Sequence, residues 1–171
     1  MRTALYIFTA LSITVGLLHI FVVDSFTVRG SSMAPVVISN DYIVIFKLAY
    51  LFNEPERNDI VVGNFRNLSD AKVVKRIIGL PREWVHIENN NVSVSSSREG
   101  KRLYVAELNQ NQGTIDDIKY EYRLDPFEYF LLGDNGIYSV DSRELGPVDK
   151  YHINGRVIGS FRLRDLTFHI F

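Results

Sequence analysis

The chain opens on one unbroken apolar block. Residues 4–23, ALYIFTALSITVGLLHIFVV, contain no Asp, Glu, Lys or Arg. Twenty residues of helix rise about 30 Å, enough to cross the hydrocarbon core of a bilayer. The block has no polar stripe, so it does not read as a helix resting on a soluble core. It also exceeds the roughly 7–15 apolar residues of a cleaved leader, and VVDSFTV offers no small-x-small cleavage pattern. The pattern therefore predicts a retained single-pass transmembrane helix. With Arg2 before the block and Asp24 after it, the N-terminus stays cytoplasmic and the rest lies outside. His19, near the outer end, reads as an interfacial or helix-packing residue.

After Asp24 the pattern changes to short Val- and Ile-rich runs bounded by Asn, Asp, Gly and Pro. DYIVIFK (41–47), DIVVGNF (59–65) and KVVKRIIG (72–79) read as strands, as do FEYFLLGDN and GRVIGSFR. EWVHIENNNVSVSS predicts a hairpin turning at Asn89–Asn91. The polar stretch from Ser95 to Asp117 predicts a projecting hairpin or loop, within a variable region of about 89–120. The expected architecture is mainly β. It comprises an anchor segment over 1–24 and a compact, barrel-like β domain over 25–171.

Composition narrows the partners. A formal net charge of -1 gives no basic field for nucleic acid. The absence of cysteine removes disulfides, thiolate catalysis and thiolate-held metals together. Four scattered histidines show no ligand spacing, so no metal or other cofactor is expected.

Three segments carry chemistry. The first is VRGSSMAPVV, residues 28–37. A serine nucleophile needs an exposed hydroxyl on a fixed turn, beside a base and backbone amides. Gly30 lets the backbone approach a substrate, and Pro35 fixes the course of Ala34. Met33 is suited to packing on the domain or entering a nearby lipid surface. The second is AKVVKRIIGLP, where Lys75 interrupts an apolar strand. In extended chain it shares a face with Val73 and Ile77, while Arg76 points the other way. Burial disfavours its charged form, and a neutral amine can accept a hydroxyl proton. The same pattern also fits an edge-strand lysine reaching for water. The third is GDNGIYSVDSRELGPV, residues 133–148. Its Ser139, Asp141 and Arg143 alternate and would share one face of an extended chain. There Asp141 and Arg143 would pair, and Ser139 could orient an amine.

Taken together, the segments resemble the type I signal peptidases, membrane-bound serine proteases that remove signal peptides. SSMAP, VKRIIGLP and GDNGIYSVDSRELG stand in the order of that family's motifs, after an apolar N-terminal segment. The resemblance implies that Ser32, directly before Met33, is the nucleophile and Lys75 the general base. Ser139 would position the lysine, with Asp141 and Arg143 beneath. It implies that the Ser32 amide donates to the oxyanion, while Gly30 supplies no second hydroxyl donor. It also implies that Met33 dips toward lipid, and that Val73 and Val74 line shallow pockets for small P1 and P3 residues. The expected partners are exported preproteins and the bilayer, most simply a bacterial plasma membrane. Three positions depart from the family pattern: Arg82-Glu83 follow Gly-Leu-Pro where Gly-Asp is usual, Gly136 stands where Arg is usual, and Val36-Val37 follow Pro35. These departures also suit a relative specialised for, or merely binding, one dedicated substrate. A Ser-His-Asp hydrolase would instead require His86, His152 or His169 beside Ser32.

Overall fold

A computed structural model describes residues 2–66, 68, 71–88, 91–106 and 119–171 of the 171-residue chain. The apolar block forms helix α1 (Arg2–Phe21), which carries no charged residue after its first turn. Leu5, Tyr6, Ile7, Phe8, Leu11, Ile13 and Val15 are all exposed along it. The side chains of residues 17–20, His19 among them, lie outside the described residues. Among the described residues no helix is long and apolar enough to cross a membrane.

The remainder is mainly β. The strands are β1 (Val23–Thr27), β2 (Tyr42–Phe46), β3 (Ile60–Asn64), β4 (Lys72–Gly79), β5 (Trp84–Glu88) and β6 (Asn91–Ser95). They continue as β7 (Arg102–Ala106), β8 (Lys119–Arg123), β9 (Glu128–Leu132), β10 (Val148–Asp149), β11 (Ile153–Arg162) and β12 (Thr167–Ile170). A larger sheet runs β1-β2-β11-β3-β4-β9-β10, with β12 added to β11, and a smaller one runs β7-β6-β5-β8. The Val- and Ile-rich runs became strands because their branched side chains fill both faces of these sheets.

Strand β4 ties the interior together. Its Val74 packs with Val28, Met33, Ile43 and Val62, its Ile78 with Val85, Val94 and Phe130, and its Ile77 with Val61 and Leu131. A strand that feeds three apolar clusters from two faces reads as a continuous hydrophobic run, as KVVKRIIG nearly does. The expected hairpin is present as β5 paired with β6, Glu88 opposite Asn91. The polar stretch after it, expected as a projecting hairpin or loop, supplies β7, which pairs antiparallel with β6 in the smaller sheet. Its run, Arg-Leu-Tyr-Val-Ala, is largely apolar and suits a strand, and among the described residues that strand ends the sheet. Residues 89–90 and 107–118 of the variable region lie outside the described residues.

Candidate active site

Two half-open strands frame the site. Among the described residues strand β1 pairs only with β2. Residues 72–75 of β4 pair with β3, but pairing with β9 begins only at Arg76. Backbone groups of both segments therefore face a cleft of about 380 Å³. Among the described residues its lining includes Phe26, Val28, Ser32, Val73, Val74 and Lys75.

Ser32 sits on the turn that follows β1. Ala34 N–H donates to Ser31 C=O and Val37 N–H to Met33 C=O, which fixes the turn locally. Gly30 has φ +97°, a left-handed conformation that disfavours other residues. No atom lies within 4 Å of where its Cβ would stand, so backbone angle and not close approach requires glycine. Of the two courses open to Met33, packing on the domain or dipping toward lipid, the structure shows the first. Met33 is 1% exposed and packs with Val28, Val37 and Ile43. A large flexible thioether directly after Ser32 anchors the turn from below.

Lys75 Nζ donates to Ser32 Oγ across 2.8 Å. The lysine is buried at 3% exposure. Burial is the largest influence on its amine, lowering the pKa to about 8; Asp141 and Asp134 oppose that shift and Arg143 reinforces it. An amine so placed reaches its neutral form near physiological pH, and a hydroxyl within hydrogen-bond reach can pass it a proton.

The third segment braces this pair from behind. Asn135 N–H donates to Ser32 C=O at 2.9 Å, and Asn135 Nδ2 to Ser31 C=O at 3.1 Å. A Cβ on Gly133 would lie 2.5 Å from Ser32 O and 2.2 Å from Ser139 Oγ, so only glycine fits. Asp141, fully buried, accepts from Gly133 N–H at 3.0 Å and from Arg143 Nε at 2.8 Å. The ion pair of Asp141 and Arg143 thus exists, but not on an extended chain. Asp141 caps helix α2 (Ser142–Leu145), accepting from Arg143 N–H, and Arg143 folds back from the first turn. An Asp before Ser-Arg-Glu-Leu-Gly is a helix-start signal that outweighs alternation. Arg143 Nη2 also donates to the C=O of Gly136 at 2.7 Å. Ser139 Oγ is buried and, among the described residues, makes no hydrogen bond to Lys75 or to any other group.

Some residues of the site escaped the sequence reading. Arg76 forms a bidentate pair with Asp134, both bonds 2.7 Å, which locks the Lys75 strand to the Gly-Asp-Asn turn. Ser142 Oγ accepts from Leu131 N–H at 2.9 Å. The outward alternation of Arg76 was visible, but its partner 58 positions away was not. The Ser32 hydroxyl is served by a lysine and not a histidine, and His86 Nε2 lies instead 2.8 Å from Ser95 Oγ. Among the described residues, no His, Asp and Glu cluster could hold a metal ion.

The model of the family described as signal peptidase, peptidase S26, matches residues 1–161. A probable signal peptidase I-2 of Synechocystis is 31% identical, over 90% of this chain and 69% of the relative. A signal peptidase I of Bacillus caldolyticus is 31% identical, over 84% of this chain and 81% of the relative. A crystal structure of a signal peptidase I from Enterococcus faecalis aligns with 25% identity and a TM-score of 0.47. That alignment covers 61% of this chain and 97% of the other.

Proposed function

The chain belongs to the signal peptidase family, peptidase S26, and is a serine peptidase; from that premise we propose that it removes signal peptides from exported precursors through Ser32 and Lys75. The 2.8 Å contact between a buried lysine and a serine on a braced turn carries this reading. Neutral Lys75 takes the Ser32 proton as Oγ attacks the scissile carbonyl. The Ser32 backbone N–H meets the developing oxyanion, and residue 30, a glycine, adds no hydroxyl to it. The Lys75 ammonium then protonates the leaving amine, and the mature protein departs. Lys75 next takes a proton from water, whose attack on the Ser32 ester frees the signal peptide.

The supporting groups act through these two. Ser139 holds the Lys75 amine once the lysine has lost its proton; its buried, unbonded hydroxyl has hydrogen-bonding capacity to spare. Asp141 and Arg143 keep the Gly133 backbone pressed against the nucleophile turn. The substrate lies extended in the cleft and borrows the free edge of residues 72–75, so main-chain bonds hold its carbonyl over Ser32. The Val73 and Val74 walls leave room for small P1 and P3 side chains. The charge-free sequence segment 4–23, part of which lies beyond the described side chains, anchors the chain in the bilayer as a single pass, since its exposed apolar side chains are costly in water. The catalytic domain is then extracytoplasmic, and enzyme and signal peptide share one plane, as at a bacterial plasma membrane.

The test is a panel of preproteins incubated with the detergent-solubilised full chain. Precursors with alanine at P1 and P3 should be cut after P1, and those with phenylalanine at either position spared. Equal cleavage of both, or cutting elsewhere, would overturn the specificity.

A further inference from the structure

One ion pair spans the cleft. Lys72 Nζ, on β4, stands 3.5 Å from Asp24 Oδ2, on β1, and both residues line the same cleft as Ser32 and Lys75. Alternation puts Asp24 on the face of Phe26, and Lys72 on the face of Val74. Phe26 and Val74 belong to one apolar cluster, so the pair sits on the inner face, two residues beyond the apolar lining. An extended peptide inserted between two strands holds them about 9.5 Å apart, twice the strand spacing. A lysine and an aspartate meeting head to head can bridge such a gap. Among the described residues no backbone ladder joins β1 to β4, and at this end the walls are connected through these side chains.

We infer that Asp24 and Lys72 form a clasp that determines specificity at the cleft's far end, restricting which side chain a substrate can carry there. The inference rests on the proteolytic reading given above. With the scissile carbonyl at Ser32 and the substrate running along residues 75 to 72, inward side chains recur every second residue. P1 and P3 meet apolar lining, and the next inward residue, P5, meets the bridged pair. A small residue passes over the pair, whereas a large one must displace it. Both partners are about half exposed, with side chains 51% and 39% accessible, so the barrier is modest and sensitive to salt.

The experiment uses the detergent-solubilised full chain and peptides sharing one Ala-x-Ala site, with tryptophan or alanine at the fourth, fifth or sixth residue before the scissile bond. The reading is the ratio of kcat/KM for the alanine peptide to that for the tryptophan peptide, taken within each variant. Wild type should disfavour tryptophan at P5 by about two- to five-fold, the range an exposed ion pair supports. Asp24→Asn and Lys72→Met should each bring the ratio to near one, and the exchanged pair Asp24→Lys with Lys72→Asp should restore it. About 0.5 M salt should lower the ratio in wild type and leave it unchanged in the single variants. A ratio identical in wild type and single variants would overturn the clasp while leaving the peptidase reading intact. So would single variants unable to cut even the alanine peptide, since the pair would then be structural. Failure of wild type to cut the alanine peptide would remove the peptidase reading and the clasp with it.

Discussion

Lys75 Nζ donates to Ser32 Oγ across 2.8 Å, a contact that a neutral or a charged amine can make. For Ser32 to be activated, the hydroxyl must donate and the amine accept. The lysine must lose a proton to bulk solvent before it can accept one from the hydroxyl.

The pH dependence follows. The Lys75 amine is depressed by burial to about 8, so its neutral fraction rises about tenfold per pH unit below that value and levels above it. Peptide cleavage between pH 6 and pH 9 should trace that curve. A flat profile would count against Lys75 as the base.

The same burial weakens the fold. A lysine with a lower pKa folded than unfolded holds fewer protons when folded, so its cost is fully present below about pH 8. That cost fades as pH rises toward the unfolded value. Lys75→Met should therefore be inactive yet more stable at pH 7, by roughly 1–3 kcal/mol in denaturant unfolding. The gain should shrink by pH 10.

Gly133→Ala should damage activity far more than its size suggests. The added methyl meets the Ser32 carbonyl, and a backbone cannot swing aside as a side chain can. Displacing a nucleophile by about 1 Å costs on the order of 100-fold. Single-turnover kinetics on a short peptide would show it, with overpacking costing about 1–3 kcal/mol of stability.

Arg143→Ala would leave the Asp141 carboxylate buried without its cation. The expected loss is about 3–5 kcal/mol, read as a lowered denaturant midpoint. Arg143→Lys should recover only part of it, since one ammonium cannot replace the bonds to Asp141 Oδ1, Asp141 Oδ2 and the Gly136 carbonyl.

Arg82→Gly should stabilise the protein. Arg82 sits at φ +68°, where a side chain is strained. Relief of that strain, less the entropy glycine loses on folding, leaves roughly 0.5–1 kcal/mol. The turn is otherwise well held: Glu83 accepts from Leu80 N–H at 2.8 Å and pairs with Arg57.

Much of this was legible in the sequence because it was local. Branched residues between turn formers gave the strands, and the three motif segments do converge in space, with Gly133 against both Ser32 and Ser139 and with Asp141 and Arg143 acting on Lys75. What was not legible depended on distant partners or on competition between local rules. Arg76 and Asp134, and Asp24 and Lys72, are joined only by the curl of the larger sheet. Met33 carries no mark that separates a core anchor from an exposed one. Asp141 to Arg143 obeyed a helix cap where alternation suggested extended chain, and the largely apolar run of β7 lies inside a stretch that is polar on the whole.

The central claim is that Ser32 and Lys75 together cut the peptide bond. The most direct test measures mature product from a preprotein with an Ala-x-Ala site, using the detergent-solubilised full chain as wild type, Ser31→Ala, Ser32→Ala and Lys75→Ala. Wild type and Ser31→Ala should yield product, while Ser32→Ala and Lys75→Ala should fall by at least about 10³-fold. Cleavage that survives Ser32→Ala would contradict the account.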